Sequence, residues 1–503
     1  MSGMEPSTKK IFVYLFLTLN FLFLVTSSGR VRTIDEVSVD LQTESLAMHG
    51  NTAVPQAEAI GTFYGKRDRW GQARAPYGTA QAAVTVPWYY AGRILRTVLP
   101  GVPEKSKDVF LDAVVTASSA TFAALVGALS FLLFVRMGLG ERKALWAALI
   151  VALGTPIFAY SSWFFSEPLT AAVLLGVTLA LFGGGEEAEI SVGQGALAGL
   201  LLGFATWVRP THVIVVPAFL VALLIHDRKK TARAAMALAA VAGVFAVAYL
   251  VRNQIYFGNP MEFGYPDAAE GGKRLNTFET PLLTGLMGFL FSPGKSVFLF
   301  APVVLLAIAG IPKLAKQHLR IAIVAVVIPL EYLLFFAKYT QWEGGYCAGP
   351  RYLVPAIPLL CLGLGPIFGD RGSTVKKIAL ILFCGGLLVQ VVSISTSFLE
   401  DQANGSYYDK TWNYKMSYAP MVSQTKLLVH YVASPEPAKL GRGFDRWFVF
   451  LAKTGVARGL LAVGLAMELC GLAAFAWKLR EAISKDMGSK VWTGQIAAGR
   501  KAV

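Results

Sequence analysis

The sequence predicts an all-α polytopic membrane protein with about twelve transmembrane helices. Its 503 residues are 55% hydrophobic and only 15% charged, whereas soluble domains carry roughly 25% charged residues. A helix needs about 20 apolar residues to cross the hydrocarbon core of a bilayer, and apolar stretches near this length recur along the whole chain. These observations exclude a soluble globular enzyme, a disordered chain and a small disulfide-linked domain.

The predicted spans are separated by polar loops. The first, residues 11–28, follows Lys9 and Lys10, and we expect a retained helix rather than a cleaved secretory signal. Residues 196–225 are too long for one span and are interrupted at Arg209-Pro210, so we expect two short or tilted helices there. The remaining predicted spans are 109–135, 144–160, 169–182, 234–251, 297–311, 321–337, 353–368, 378–398 and 459–477.

Lys and Arg are concentrated in alternate short loops, which predicts the orientation because such loops stay in the cytoplasm. The N-terminus and the basic tail after residue 477 are then cytoplasmic. The long segments predicted outside are 29–108, 252–296 and 399–456. The predicted organisation is a transmembrane module (1–400) whose first outer loop (29–108) carries interfacial helices, an outer segment of unknown role (401–456), and a last transmembrane helix with its tail (457–503).

The formal net charge of +15 favours anionic lipid or an anionic substrate over nucleic acid, because the basic residues lie between apolar spans. The three outer segments contain 21 of the 46 Lys and Arg residues. The rule that basic loops stay in the cytoplasm does not account for basic residues in segments that lie outside. They are solvated charges or a site for a phosphate-bearing ligand.

The four cysteines form no CxxC pair, and no P-loop, GxGxxG or HExxH motif is present. We therefore predict no cofactor, although the sequence is compatible with a bound divalent metal ion.

Asp35 and Glu36 follow the first span by about seven residues, close to Arg30 and Arg32. A carboxylate at the membrane surface can act as a general base that deprotonates an acceptor hydroxyl or amine. The alternative interpretation is a helix N-terminus, where acidic residues are favourable in the first turn.

Residues 64–78 interleave cations with aromatic residues and glycines. Lys66 and Arg74 are candidates to bind a lipid phosphate; the alternative is a general attraction to anionic lipid. Residues 80–99 are amphipathic and predict an interfacial helix.

Polar residues also interrupt the apolar regions further along the chain. Glu167 precedes a proline at the start of a predicted span, a pattern that also suits a helix cap. Arg209 is costly near the membrane unless it is paired or binds a ligand. Residues 338–352 are rich in glycine and aromatic residues, which suits either a sugar-binding surface or a rigid interfacial turn. Their candidate residues are Trp342, Glu343, Tyr346 and Arg351.

Taken in order, these motifs resemble the membrane glycosyltransferases of GT-C fold, in particular the bacterial branch related to protein O-mannosyltransferases and to the aminoarabinose transferase of lipid A. The likeness covers roughly residues 10–400. The matching segments are Asp35-Glu36, Ser45-Leu-Ala-Met-His49-Gly50, Ser166-Glu167-Pro168-Leu169, Arg209-Pro210-Thr211, Phe291-Ser-Pro-Gly-Lys295, Gly344-Gly345-Tyr346 and Gly349-Pro350-Arg351-Tyr352.

The resemblance implies transfer of a sugar, with inversion, from a polyprenyl-phosphate donor to a lipid, glycan or protein acceptor outside the bacterial cytoplasmic membrane. It implies that Asp35 is the base and that Glu36 helps to place the acceptor. The phosphate would be bound by Arg351 with Lys66 or Arg74, since Arg74-Ala-Pro76-Tyr77 replaces the Lys-Pro-Pro-Leu of some relatives; Arg209 is a reserve candidate. The residues predicted to bind substrate are Glu167, Trp342, Glu343 and Tyr346.

Other functions stay open at this point. A lipid-linked-sugar polymerase or ligase of related fold is an alternative within the enzymes. A transporter or flippase without chemistry, or a non-catalytic assembly subunit, belongs to another class. Transporters tend to show internal repeats and ionisable residues near the bilayer midplane. Here no repeat is visible and the polar motifs gather on the predicted outer face, so we expect an enzyme.

Overall fold

The computed structural model describes residues 5–225, 228–266, 277–345, 347–369, 372–398, 413–433 and 443–499. These residues are mostly helical, with one two-stranded hairpin, β1 (Lys66–Arg67) and β2 (Ala73–Arg74). The predicted all-α class is confirmed. The α-helices are α1 (Pro6–Thr26), α2 (Ile34–His49), α3 (Pro55–Ala59), α4 (Ala80–Val98), α5 (Lys107–Thr116), α6 (Ser118–Arg136), α7 (Glu141–Leu153), α8 (Ile157–Tyr160), α9 (Glu167–Phe182), α10 (Val192–Val208), α11 (Val216–Leu224), α12 (Arg228–Phe257), α13 (Leu282–Phe291), α14 (Val297–Phe300), α15 (Val303–Gln317), α16 (Leu319–Lys338), α17 (Ile357–Leu360), α18 (Leu364–Gly369), α19 (Ser373–Ser395), α20 (Pro420–Ala433), α21 (Trp447–Thr454) and α22 (Arg458–Gly499). Short 3-10 helices cover Glu104–Ser106, Pro210–Val215, Arg351–Leu353, Cys361–Gly363 and Met416–Tyr418.

Within the described part of the chain, six helical segments are long and apolar enough to cross a membrane, so the chain is a multi-pass membrane protein. They are Pro6–Thr26, Glu104–Arg136, Lys229–Phe257, Leu319–Lys338, Thr374–Ser395 and Arg458–Ser484. Shorter apolar helices are Glu167–Phe182, Val192–Val208, Pro210–Leu224, Leu282–Phe291 and Ile357–Gly369. The predicted number of about twelve spans is not confirmed.

Prolines explain why three continuous apolar stretches do not form continuous helices. Pro156 lies between α7 and α8, and Pro302 lies between α14 and α15. Proline has no N–H to donate and disfavours helical backbone in the residue before it. Pro358 and Pro366 lie in helices of only four and six residues. The broken stretches are the predicted spans 144–160, 297–311 and 353–368.

The predicted break at Arg209-Pro210 is confirmed, because Arg209 has extended backbone (φ −148°, ψ 130°) and Pro210 begins a 3-10 helix. Close packing fixes the position of α10, which ends just before Arg209. A Cβ atom added at Gly195 or Gly199 would lie 2.1 or 2.6 Å from a backbone oxygen of α12. Small residues thus allow the two helix backbones to touch, and this contact fixes where the backbone of Arg209 lies.

Residues 29–108, called the first loop from here on, have an apolar core of their own. In it α2 packs on α4, and α4 packs on α5, the helix that follows the loop. The amphipathic stretch predicted at 80–99 forms the helix α4, as expected. The core consists of Val39, Val54, Ala57, Ala73, Ala75, Tyr77, Ala82 and Tyr89, with Leu111, Val115 and Phe164 from adjoining segments.

The segment predicted as 401–456 is described at 413–433 and 443–456. Its helix α21 lies against α5 through an apolar cluster that includes Phe110 and Leu451. The end of this segment therefore contacts the region that follows the first loop.

Candidate active site

A capping box fixes the start of α2 and, with it, the two adjacent carboxylates. The side chain of Thr33 accepts a hydrogen bond from the Glu36 N–H (3.3 Å), and Glu36 Oε2 accepts one from the Thr33 N–H (2.9 Å). The other carboxylate oxygen, Oε1, accepts a bond from the Phe164 N–H (2.9 Å). Glu36 is fully buried. Both carboxylate oxygens of Glu36 accept hydrogen bonds from backbone N–H groups. Glu36 therefore fits the alternative interpretation, in which an acidic residue stabilises the first turn of a helix.

Asp35 has different surroundings from its neighbour. Its Oδ2 lies 2.6 Å from Arg351 Nη2 and 3.5 Å from Arg209 Nη2. The Tyr77 hydroxyl donates a hydrogen bond to Oδ1. The side chain of Asp35 is 27% exposed, so this carboxylate is paired but still accessible at the surface of the protein.

Glu167 and Arg351 complete the same group of side chains. Glu167 is the first residue of α9, and its Oε1 accepts a hydrogen bond from Arg351 Nε (2.8 Å) and lies 4.0 Å from Arg209 Nη2. The guanidinium carbon of Arg351 is 3.9 Å from the centre of the Phe165 ring, a favourable cation–π contact. Both Glu167 and Arg351 are buried. The aromatic ring and the carboxylate together fix the plane of the guanidinium.

Five side chains therefore form what we call the Asp35 cluster, and four of them were predicted as site residues from separate sequence motifs. The cluster contains two carboxylates, two guanidiniums and one phenol. Its members are Asp35, Tyr77, Glu167, Arg209 and Arg351.

The electrostatics of the cluster keep Asp35 ionised. Burial alone would raise the pKa of Asp35, but the charges of Arg351 and Arg209 and the hydrogen bond from Tyr77 outweigh it and lower the pKa below its usual value. Burial and the negative charge of Asp35 raise the pKa of Tyr77 well above its usual value. Tyr77 thus stays protonated and acts as a donor.

Lys66 and Arg74 have acidic partners of their own. They face each other in the hairpin. Lys66 Nζ lies 2.9 Å from Glu262 Oε2, and Arg74 Nε donates a hydrogen bond to Asp68 Oδ2 at 2.9 Å. Arg74 also lies over the ring of Tyr256. These two predicted phosphate ligands are engaged in structural contacts.

Two of the residues predicted to bind substrate lie in a packed region. Trp342 is fully buried, with its ring 5.5 Å from that of Phe289 and 6.1 Å from that of Tyr414. Glu343 is buried as well. Tyr346 lies outside the described residues.

Arg30 and Arg32 form ion pairs with Asp445, at 2.9 and 3.2 Å, rather than with Asp35. Sequence reasoning did not select Asp445 or Tyr77. Tyr77 is 42 residues from Asp35 in the sequence, and Asp445 lies in a segment without a recognisable motif. In the described part of the chain, no group of three or more His, Cys, Asp and Glu side chains is arranged to hold a metal ion.

No protein-family model matches the sequence, and no curated protein matches it. Several solved structures are similar to the chain. One is ArnT from Cupriavidus metallidurans bound to undecaprenyl phosphate, with 18% identity, coverage of 94% of this chain and 75% of that chain, and a TM-score of 0.46. The apo state of the same protein has 16% identity, coverage of 94% and 74%, and a TM-score of 0.48.

A second similar protein is the archaeal oligosaccharyltransferase AglB from Archaeoglobus fulgidus, in complex with an inhibitory peptide and a dolichol-phosphate. It has 12% identity, coverage of 77% of this chain and 55% of that chain, and a TM-score of 0.48. Both proteins are glycosyltransferases of the GT-C fold, the class whose motifs this sequence resembles.

Proposed function

We propose that the protein is a glycosyltransferase that moves a sugar from a polyprenyl-phosphate-linked donor to an acceptor, with inversion at the anomeric carbon. The observation that carries the proposal is the Asp35 cluster. In it an accessible carboxylate shares two arginines with the buried carboxylate of Glu167. A base and two phosphate-binding cations are thus within contact distance of one another.

The arginines are suited to bind the donor phosphate. Arg351 is oriented by Glu167 and Phe165, and Arg209 is placed by the end of α10. A rigid guanidinium matches the geometry of phosphate oxygens and is preorganised for the charge that develops on the leaving group. We therefore assign the phosphate to Arg351 and Arg209, and a structural role to Lys66 and Arg74.

Asp35 is suited to act as the base. Its carboxylate takes a proton from the acceptor hydroxyl or amine, and the acceptor atom then forms a bond to the anomeric carbon from the face opposite the phosphate. The bond between that carbon and the phosphate oxygen breaks, and its electron pair leaves with the polyprenyl phosphate. A positioned base typically contributes a factor of about 10² to 10⁴ in rate.

The contact between Asp35 and the arginines links donor binding to base strength. Without donor, Arg351 and Arg209 keep Asp35 a weak base. A bound phosphate would share the positive charge of both arginines and add a negative charge beside Asp35, which raises the pKa of that carboxyl. Asp35 would therefore become a stronger base only when a donor is present, which limits unproductive chemistry in the empty site.

The remaining features of the proposal come from the sequence. We infer an active site on the outer face of a bacterial cytoplasmic membrane, from the distribution of Lys and Arg. The acceptor is a lipid, a glycan or a protein. Glu36 is assigned to fixing the start of α2, so it should not replace Asp35 as the base.

The decisive experiment compares Asp35→Asn with Glu58→Gln. Glu58 is a matched control because it lies in the same loop, pairs with Arg67 at 2.8 Å and is 28% exposed. The purified protein in nanodiscs is given synthetic polyprenyl phosphates carrying a hexose or a pentose, with cell-envelope extract as the source of acceptor. Release of polyprenyl phosphate is measured, together with binding of free polyprenyl phosphate.

We expect Asp35→Asn to lower turnover by about 10²- to 10⁴-fold and to leave binding of polyprenyl phosphate in place, while Glu58→Gln matches the wild type. Full turnover by Asp35→Asn would remove Asp35 as the base. Failure of the wild type to bind polyprenyl phosphate would remove the proposed donor class.

A further inference from the structure

Asp445 lies between two arginines that precede the proposed base. Its carboxylate is 2.9 Å from Arg30 Nη2 and 3.2 Å from Arg32 Nη1. Asp445 and Arg32 are buried almost completely, with side-chain exposures of 1% and 2%. Two cations close together, one buried and one 12% exposed, are tolerated only where an anion compensates them, and Asp445 supplies that charge.

The backbone around Asp445 is attached on both sides to helices of the bundle. The Asp445 N–H donates to the carbonyl of Ser395, at the end of α19 (3.1 Å), and Phe444 forms a β-bridge with Thr396. The Trp447 N–H donates to the carbonyl of Ser27, just after α1 (2.9 Å). The segment therefore lies directly on the stretch of chain that joins α1 to α2.

Trp447 packs closely against residues 27–29, in the stretch between α1 and α2. A Cβ atom added at Gly29 would lie 2.4 Å from Trp447 Cβ, and the backbone of Gly29 has a φ of +63°, a conformation that glycine adopts without strain. Residues 27–29 are thus pressed against the segment that carries Asp445. The position of one segment determines the position of the other.

Arg32 transmits this position to the start of α2. Its N–H donates to Glu36 Oε2 (2.8 Å), the same oxygen that caps the helix through Thr33, and its Nη2 donates to the carbonyl of Ser162 (3.4 Å). Asp35 is three residues further along the chain. An unbroken series of contacts therefore runs from Asp445 through Arg32 to the helix turn that carries the base.

We infer that Asp445 is a positioning residue for the transfer reaction: by pairing with Arg30 and Arg32, it holds the turn before α2 so that Asp35 points at the acceptor. This inference rests on the proposed function, since it presumes that Asp35 is the base. It also gives the end of the 401–456 segment a role in the site. A misplacement of about 1 Å in a catalytic group can cost a factor of about 10² in rate.

The test compares turnover and donor affinity in the full-length protein in nanodiscs. The main variant is Asp445→Asn, which keeps size but removes the charge; Arg32→Gln breaks the same pair from the other side. Asp445→Glu keeps the charge and serves as the conservative rescue. The substrate is the synthetic polyprenyl-phosphate sugar that the wild type turns over, and free polyprenyl phosphate serves as the binding probe.

The matched control is Glu186→Gln. Glu186 accepts a hydrogen bond from the N–H of the buried residue Arg320 (3.1 Å). It lies beyond the far end of α9, a helix that begins at Glu167 and is about 24 Å long at 1.5 Å per residue. This variant removes a carboxylate that pairs with a buried arginine, but at the other end of the bundle.

We expect Asp445→Asn and Arg32→Gln to lower kcat by about ten- to hundredfold while the affinity for polyprenyl phosphate changes less than threefold, because Arg209 and Arg351 lie on other elements. Asp445→Glu should recover at least a third of the wild-type kcat, and Glu186→Gln should keep all of it. A purely structural role would lower stability in these variants without changing the kcat of the folded fraction.

The outcomes separate this inference from the proposed function. A kcat within twofold of the wild type in Asp445→Asn, with Asp35→Asn inactive, overturns the inference and leaves the base in place. Equal losses of kcat in Asp445→Asn and Glu186→Gln also overturn it, since the effect would then be general. If Asp445→Asn does not fold, Arg32→Gln decides by the same criteria. An active Asp35→Asn variant overturns the proposed base itself.

Discussion

The hairpin of the first loop and the Asp35 cluster both bury an arginine against a carboxylate, but they leave different groups accessible. In the hairpin, Arg74 bonds Asp68, Thr52 and Gln72 with its three nitrogens and lies over Tyr256. The side chain of Asp68 has no exposure at all. All three nitrogens of the Arg74 guanidinium have partners, and the Asp68 carboxylate is not accessible. We call this a closed pair.

In the Asp35 cluster, the charges are shared and one of them is accessible. Arg351 bridges Glu167, which is 4% exposed, and Asp35, which is 27% exposed. Arg209 reaches the same two carboxylates only at 3.5 and 4.0 Å. A phosphate could replace Asp35 as the partner of both arginines without leaving a buried carboxylate unpaired. A closed pair stabilises the fold, whereas a shared and accessible pair can exchange a partner for a ligand.

The largest effect expected on donor binding comes from changing one arginine in each region. Arg351→Gln should weaken binding of polyprenyl phosphate by about ten- to hundredfold, because a hydrogen bond to a charged group contributes about 1.5–3 kcal/mol and 1.4 kcal/mol is a factor of ten. Arg74→Gln should leave this binding within about threefold of the wild type. Binding is measured by titration of polyprenyl phosphate into the protein in nanodiscs.

Stability provides the internal control for this pair of variants. Each substitution leaves a buried carboxylate without its partner, a change that typically costs about 3–5 kcal/mol. Both variants should therefore show reduced resistance to thermal unfolding, but only Arg351→Gln should lose binding. Loss of binding in Arg74→Gln, with Arg351→Gln unchanged, would move the phosphate site to the hairpin and reverse the comparison.

Sequence reasoning located four of the five members of the Asp35 cluster, each from a separate motif. Asp35 and Glu167 lie beside apolar spans, and Arg351 lies in a loop rich in glycine and aromatic residues. Arg209 is a charge close to an apolar stretch, where it is costly unless it is paired or binds a ligand, and the break at Arg209-Pro210 followed from the chemistry of proline. Tyr77 did not stand out, since an aromatic residue in a polar loop has many uses. Its contact with Asp35 exists only because the first loop has its own core.

The features that the sequence did not predict have a physical cause too. Arg30 and Arg32 are close to Asp35 in the sequence, but their guanidiniums pair with Asp445, more than 400 residues away in the sequence. Likewise, the apolar content of residues 144–160 or 297–311 predicted continuous spans, and hydropathy takes no account of where Pro156 and Pro302 break the helices. Long-range pairing and the helix breaks at Pro156 and Pro302 were the features that composition alone did not predict.

A smaller effect is expected on the pH dependence of turnover, which reports the ionisation of Asp35 in the cluster. Because the folded-state pKa of Asp35 is lowered, its ionised form stabilises the protein above the ordinary pKa of about 3.9, and this stabilisation is lost as the pH falls through the lowered value. The acid limb of kcat/KM reports the free enzyme, and that of kcat reports the complex. If phosphate takes the arginines from Asp35, the acid limb of kcat should lie at higher pH than that of kcat/KM.

The measurement is a pair of pH–rate profiles with the synthetic donor, recorded in nanodiscs from neutral pH downwards. Glu58→Gln should reproduce the wild-type profiles, because its carboxylate pairs with Arg67 outside the cluster. Coincident acid limbs for kcat and kcat/KM would mean that donor binding does not change the surroundings of Asp35. The arginines would then remain paired with the carboxylate during turnover.

The smallest expected effect concerns Tyr77, whose hydroxyl donates to Asp35 and whose ring lies 5.7 Å from the guanidinium carbon of Arg209. Tyr77→Phe keeps the ring and removes only the hydrogen bond, so Asp35 becomes less firmly oriented and at the same time a stronger base. These two consequences oppose each other, and we expect kcat to fall by only about three- to tenfold, or roughly 0.7–1.4 kcal/mol in the barrier. Affinity for polyprenyl phosphate should not change.

The control for this prediction is Tyr89→Phe, because Tyr89 is also buried in the first loop and its hydroxyl donates to a carboxylate of α2, that of Glu44, at 3.4 Å. Both variants lose a phenol hydroxyl bonded to the same helix, so a general loosening of α2 would affect them alike. A fall in kcat confined to Tyr77→Phe places the effect at Asp35. Equal kcat values in the two variants would show that the hydroxyl of Tyr77 does not orient the base.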